Sequence, residues 1–238
     1  MMENQTNITA HSGCDGTEDN SLKFVDYVLQ TEADCLEVDV RAAADGTLVL
    51  GHDAIGGMPV KLADVFQRLR GKSEVKINCD LKEPGLEPSV YALAEQYNVE
   101  SQLIYSGAVN PETLDKKQAL FPKAEIYLNI EQLVPMLETV QAGGAMEQSV
   151  LSKALKEALQ KATRYDCLSC INMEYHLLSD ETIEKLKELG LRASAWTVNE
   201  AEDLCRLLRA GITNITTRSL KKALALRSEL VQSEGRQS

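Results

Sequence analysis

The 238-residue chain predicts an α/β protein folded as a closed (β/α)8 TIM barrel, and two observations carry that prediction. Eight short runs of strand-type residues alternate with helix-type runs along almost the whole chain. Strict alternation makes neighbouring strands parallel, with right-handed crossovers. Within the strands, apolar residues take every second position instead of filling both faces. Ile77, Cys79 and Leu81 alternate with Asn78, Asp80 and Lys82, and Ile126, Leu128 and Ile130 with Glu125, Tyr127 and Asn129. Parallel strands covered on both faces usually read as apolar throughout. A strand that keeps one apolar face for its helices, while the other turns polar toward its end, fits a barrel whose lumen opens there as a site.

The elements follow in order. The first strand is Asn7–His11, where Ile8 and Ala10 alternate with Thr9 and His11, and a helical pattern covers Ser21–Thr31. The second strand, Cys35–Arg41, points Leu36, Val38 and Val40 one way and Glu37, Asp39 and Arg41 the other. A polar turn at Ala44–Thr47 leads into a hairpin-like extension, Leu48–Leu50, and then to a helix at Leu62–Leu69. The remaining strands are Val75–Lys82, Gln102–Gly107, Ala124–Glu131, Ser169–Tyr175, Arg192–Val198 and Ile212–Thr217. Helical patterns fill the gaps at Glu87–Tyr97, Pro111–Leu120, Glu131–Gln141, Val150–Ala162, Asp180–Leu189 and Glu200–Arg209, and a last one covers Leu220–Val231. Ser179-Asp180-Glu181 and Gly190 bracket one helix as cap and stop, and Asn199-Glu200 and Gly211 bracket the next. Gly143-Gly144 breaks the long connection before the sixth strand. The length suits one domain over residues 1–231, with Gln232–Ser238 a disordered tail.

Bulk chemistry narrows the function. With 36 acidic against 25 basic residues the net charge is −11, which disfavours nucleic acid or an anionic membrane as partner. A small anionic substrate stays open, because a bound cation and one lysine reverse the local field. Met1–Asn7 has neither a basic nor an apolar leader region, and no apolar run is long enough to span a bilayer. Six cysteines then read as reduced thiols in a cytoplasmic protein. Cys167-x-x-Cys170 lacks the second pair of a zinc site and reads as structural. Gly71-Lys72-Ser73 resembles the end of a phosphate-binding loop, but Phe66 stands where its first glycine belongs.

One constellation remains. In a barrel, His11 ends the first strand, Glu37 and Asp39 the second, Asp80 and Lys82 the third, and His52 follows the hairpin extension. Adjacent carboxylates raise one another's pKa unless a cation neutralises them, and oxygen-only ligands suit Mg²⁺ or Ca²⁺. A divalent ion on Glu37, Asp39 and Asp80 with Lys82 beside it forms a cradle for phosphate oxygens, and histidine titrates near neutrality. The bland alternatives are an exposed edge strand, a plain Asp80/Lys82 ion pair, and structural histidines, the reading that His176 receives.

These residues resemble a known family. Ala10-His11-x-Gly13, Asn20-Ser21, Leu36–Val40, Asp45-Gly46-x-Leu48-Val49 and His52-Asp53 are similar to the signature of glycerophosphodiester phosphodiesterases. Ile77-Asn78-x-Asp80-Leu81-Lys82, Trp196–Asn199 and Gly211–Thr217 resemble that family's third, seventh and eighth strands. The resemblance implies a (β/α)8 barrel, with His11 and His52 as acid/base pair, Glu37, Asp39 and Asp80 as metal ligands, Lys82 on the phosphate and Trp196 as a pocket wall. The implied reaction is metal-dependent hydrolysis of a glycerophosphodiester to glycerol phosphate and an alcohol, by attack of the neighbouring glycerol hydroxyl. Three departures stand out. Ser12 replaces the arginine of the usual His-Arg-Gly, Asp80 replaces glutamate, and only Ala54–Val60 separate His52 from the next helix, a reduced insertion over the site. A phospholipase D-like release of cyclic phosphate from lysolipids, and a degenerate barrel that binds a phosphate ester without turnover, are the competing expectations. Oligomeric state, metal identity and head group are not read from the sequence.

Overall fold

The computed structural model describes residues 5–53, 58–141 and 144–234. Its strands are β1 (Asn7–Ala10), β2 (Cys35–Ala42), β3 (Leu48–Leu50), β4 (Lys76–Leu81), β5 (Leu103–Gly107), β6 (Glu125–Asn129), β7 (Cys170–Glu174), β8 (Ala193–Trp196) and β9 (Asn214–Thr217). The helices are α1 (Leu22–Val28), α2 (Leu62–Leu69), α3 (Glu87–Tyr97), α4 (Lys117–Leu120), α5 (Glu138–Gln141), α6 (Gln148–Ala162), α7 (Asp180–Glu188), α8 (Ala201–Ala210) and α9 (Leu220–Glu234). Eight strands pair in parallel in the order β1, β2, β4, β5, β6, β7, β8, β9, and β9 returns to β1, so the sheet closes. β3 lies outside this ring, antiparallel on the end of β2. The chain is therefore a (β/α)8 barrel.

The period of two decides which residues face which layer. Leu36, Val38, Val40, Ile77, Cys79 and Leu81 pack in one continuous core with Phe24, Val25, Leu62 and Phe66 of the outer helices. The opposite strand face fills the lumen. Near its lower end Cys35, Ile104, Tyr127 and Cys170 form a separate small apolar cluster. Around it run buried hydrogen bonds from Thr9 Oγ1 to Asn214 Oδ1 (2.7 Å) and from Asn214 Nδ2 to Ser194 Oγ (2.9 Å), which pair these polar lumen groups, while the buried Asn78 Oδ1 has no hydrogen-bond partner among the described residues. Cys170 is thus a filler, and burial pushes its thiol up to about 12.

Several helix boundaries are as expected. Ser179 Oγ accepts from Thr182 N at 3.2 Å, and Gly211 caps α8 in the left-handed region. The crossovers between β5 and α6 differ. The Pro111–Leu120 helix is a 3-10 run, Pro111–Lys116, followed by the single turn α4. The Glu131–Gln141 helix is two 3-10 turns, Ile130–Gln132 and Pro135–Leu137, and then the single turn α5. Prolines 111, 122 and 135 remove backbone donors and bias the residue before them away from the helical region, which keeps these segments short. α9 runs on to Glu234, so the first residues of the expected tail are helical. The rest of that tail, Gly143, and residues 54–57 of the expected short lid lie outside the described residues. Among the described residues no helix is long and apolar enough to cross a membrane.

Candidate active site

The strand register brings the acids together. β2 and β4 run side by side with Asp39 opposite Asp80, and Glu37 one step lower opposite Asn78. All three carboxylates face the lumen, and one oxygen from each lies within 4.8 Å of the others. Glu37 and Asp39 are buried and Asp80 is half-buried. On the far side of Asp80, Gly107 of β5 has φ +74°, and a Cβ there would meet Asp80 Oδ1 at 2.5 Å and Leu81 O at 2.4 Å. A side chain at 107 would therefore push into the carboxylate, and glycine is required by both space and backbone.

Asp39 and Asp80 each have their own partners. Lys82 Nζ binds Asp39 Oδ1 at 2.8 Å and also contacts Asp80 Oδ2. Asn20 clasps Asp39 twice: its Nδ2 donates to Oδ2 at 2.7 Å, and its Oδ1 accepts from the Asp39 backbone N at 3.0 Å. Ser106 Oγ donates to Asp80 Oδ1 at 2.9 Å. Burial would raise the Asp39 carboxyl, but the Lys82 ammonium and Asn20 more than offset it and hold it below its usual range. Glu37 goes the other way: burial, then repulsion from Asp80 and Asp39, raise it well above the usual carboxylate range. Lys82 stays firmly protonated, because its two acid neighbours outweigh the burial that opposes its charge. Three acids against one ammonium leave an excess negative charge on hard oxygen donors. The set fits a hard divalent cation, which would offset the repulsion that Glu37 meets.

The two histidines are held differently. His11 follows β1, its side chain 18% exposed, with Nε2 at 4.0 Å from Glu37 Oε1. Its Nδ1 lies 2.8 Å from Ser12 O, an acceptor, so Nδ1 carries the proton and the Nε2 lone pair is left toward the lumen. Burial lowers its pKa below the ordinary value. His52, past β3, is 68% exposed, and its Nδ1 lies 3.0 Å from Asp53 Oδ1. Arg41 fixes its backbone, since Nε and Nη2 both donate to His52 O (3.1 and 2.8 Å) while Nη1 pairs with Glu83. The stem below it is tied by Leu50 N to Val60 O at 2.8 Å.

A cavity of about 360 Å³ at the C-terminal ends of the strands is lined by all of the residues expected there: His11, His52, Glu37, Asp39, Asp80 and Lys82, with Trp196. Its other wall was not read as a site from the sequence. Asn129 and Asn172 stand opposite each other on β6 and β7, with Asn172 Nδ2 donating to Asn129 Oδ1 at 2.9 Å. Glu131 follows, accepting from Asn129 Nδ2 at 2.7 Å. The Trp196 indole nitrogen is buried and, among the described residues, has no hydrogen-bond partner. His176 lies elsewhere, on the surface, with its Nδ1 2.6 Å from Glu174 Oε1. Asn199 is no helix cap: its Oδ1 accepts from Arg218 N at 2.9 Å, tying the start of α8 to the end of β9. Ser12 is buried, and its hydroxyl accepts from the Asn20 backbone N, so it supports the residue that holds Asp39.

No family model matches the chain. It is 23% identical to a glycerophosphodiester phosphodiesterase of Caldanaerobacter subterraneus subsp. tengcongensis, over 90% of this chain and 94% of that protein. A Bacillus subtilis protein of the same name is 26% identical, over 87% of this chain and 82% of its own length. Among solved structures, a putative glycerophosphoryl diester phosphodiesterase from Agrobacterium tumefaciens superposes with a TM-score of 0.77 at 17% identity, covering 96% of this chain and 99% of that one. An Oleispira antarctica phosphodiesterase, solved with the product sn-glycerol-3-phosphate, superposes with a TM-score of 0.68 at 16% identity, over 93% of this chain and 96% of its own.

Proposed function

We propose that the chain is a glycerophosphodiester phosphodiesterase, as the names of its relatives over nearly its whole length suggest, and that it hydrolyses small glycerophosphodiesters to glycerol phosphate and an alcohol in the cavity at the barrel mouth. One observation carries the reading: three carboxylates from adjacent strands converge within 4.8 Å, beside Lys82 and His11. Glu37, Asp39 and Asp80 would hold Mg²⁺ or Ca²⁺, which supplies Lewis-acid charge to the phosphate oxygens when bound. Lys82, anchored between Asp39 and Asp80, presents its ammonium to the same phosphate and stabilises charge that grows there.

The histidines move the protons. His11, neutral through burial and with its Nε2 lone pair open, takes the proton of the glycerol hydroxyl next to the ester. That oxygen bonds to phosphorus, the bond from phosphorus to the alcohol breaks, and His52 protonates the departing alkoxide. Water then opens the cyclic ester with the roles exchanged: His52 takes a proton from water and His11 returns its own to the glycerol oxygen. Both histidines end as they began. The six cysteines are unpaired, four of them buried, which supports a reducing compartment such as the cytoplasm.

The test is turnover of glycerophosphocholine, glycerophosphoethanolamine and glycerophosphoglycerol with Mg²⁺, Ca²⁺ or Mn²⁺, with and without chelator, and phosphorus NMR of the product. Chelator-sensitive release of open glycerol phosphate is expected. A cyclic phosphate as final product would move the chemistry to the lysolipid class, and zero turnover with every ion would leave a binding barrel.

A further inference from the structure

Position 12 gives this site no guanidinium, since Ser12 is buried and engaged with the Asn20 backbone. Among the described residues Lys82 lines the cavity, and two further side-chain cations stand toward the ends of neighbouring strands without lining it. Lys82 is locked between Asp39 and Asp80, and Arg41 is committed to His52 O and Glu83. The third is Arg218, the residue after β9, beside β1 in the closed ring.

The backbone around Arg218 is clasped to the turn that carries His11. Thr217 O accepts from His11 N at 2.9 Å, Arg218 O from Asp15 N at 2.8 Å, and Arg218 N donates to Asn199 Oδ1 at 2.9 Å. The side chain lies over the same turn. A Cβ on Gly13, two residues beyond His11, would sit 2.8 Å from Arg218 Nη1 and 1.9 Å from Asp19 Oδ1. Gly13, with φ +77°, is therefore what lets the guanidinium and its acid come down against the His11 turn. Arg218 forks onto Asp19, Nη1 to Oδ1 at 2.8 Å and Nη2 to Oδ2 at 3.5 Å, and both side chains are largely in solvent, 43% and 56% exposed. An exposed pair of this kind is weak, so the anionic phosphate of a diester, and more so the dianion of the monoester product, competes for the fork.

We propose that Arg218 is the phosphate-binding guanidinium of this site, released from Asp19 to grip a non-bridging phosphate oxygen from the end of β9. The inference rests on the phosphodiesterase reading and adds to it the residue that takes over from position 12. Asp19 is then a competitor for the guanidinium, and the two partners of the pair have opposite effects on anion binding.

Calorimetric titration of sn-glycerol 3-phosphate and of inorganic phosphate into the Mg²⁺-loaded protein tests this, alongside steady-state turnover and melting curves. Arg218→Gln should weaken glycerol phosphate about tenfold or more and raise KM, since a charged hydrogen bond is lost. Asp19→Asn should tighten it by about two- to fivefold, because the exposed pair that competes is removed. Arg218→Lys should fall between wild type and Gln, because a point charge replaces a fork. A mere structural clasp would make Asp19→Asn and Arg218→Gln alike, both lowering the melting temperature with unchanged anion affinity. That pattern, in a protein whose wild type turns over substrate, overturns the inference alone. If Arg218→Gln fails to fold, the sign of the Asp19→Asn effect decides it. A wild type that neither binds phosphate nor hydrolyses any diester overturns the phosphodiesterase reading and this inference together.

Discussion

The two sides of the barrel mouth are built from different chemistry. On the side of β1, β2 and β4 stand His11, Glu37, Asp39, Asp80 and Lys82, each charged or titratable, and all but Glu37 held by a named hydrogen-bond partner. On the side of β6, β7 and β8 the cavity wall is mostly amide and indole, Asn129, Gln132, Asn172 and Trp196, with one carboxylate, Glu131, that accepts from Asn129. The charged side can hold a cation and shift protons. The amide side offers hydrogen bonds and an apolar face, which position a group without changing its protonation. On the proposed reading, chemistry and selection are divided between opposite staves of one barrel, and mutations on the two sides should change different kinetic constants.

The largest contrast is expected at the histidine. His11→Ala should lower kcat about 10²–10⁴-fold, the usual worth of a general base, whereas Trp196→Phe should leave kcat within about threefold and shift KM, since uniform binding alone is lost. Measured on one diester, equal losses in kcat would erase the division. Next comes the ion. At a divalent concentration about a hundred times its dissociation constant, wild type should gain roughly 2.7 kcal/mol of stability, read as a rise in melting temperature. Glu37→Gln should lose most of that rise, and Asn172→Ala should keep it. Smaller again is Asn20→Ala, which strips two hydrogen bonds from Asp39 and should cost about 1–3 kcal/mol in kcat/KM, with folding retained.

The pH dependence sharpens the same contrast. His11 has a folded pKa below its ordinary 6.5, so the neutral form persists at pH 6.5 in the native state. Between the two values the unfolded chain holds more protons, so the stability that neutral His11 contributes is fully present above 6.5 and is lost as pH falls through the folded value. The acid limb of kcat/KM should accordingly lie below 6.5 and vanish in a His11→Gln protein. Trp196→Phe should leave that limb where it is. A limb at or above 6.5 in wild type would remove His11 as the free base.

Much of this was legible because the barrel writes itself as a period of two. Eight strands, their parallel order and the inward face of Glu37, Asp39, Asp80 and Lys82 follow from alternation and spacing alone. The crossovers around Pro111 and Pro135 were misread because an apolar rhythm survives in 3-10 turns too short to be helices. Asn199 was assigned to a cap on its position, but its side chain had a better partner in the backbone of Arg218. The pairing of Asp19 with Arg218 spans 199 positions and carries no local pattern, so only folding reveals it. Ser12 illustrates the same limit: its residue type signalled a loss, while its support of Asn20, eight residues on, needs coordinates. Asn129 and Asn172 could be placed inward by parity, but their mutual hydrogen bond depends on the register of two strands 43 residues apart.

The apolar cluster of Cys35, Ile104, Tyr127 and Cys170 has a kinetic consequence. It stoppers the lumen beneath the mouth and separates it from the polar hollow at the opposite end, where Lys76 pairs with Glu125. The barrel is a blind well, not a tunnel, and traffic in and out shares one opening. On the proposed reaction, with the phosphate held at the acids and Lys82, the alcohol would depart first, and glycerol phosphate should inhibit competitively against substrate while the alcohol should not.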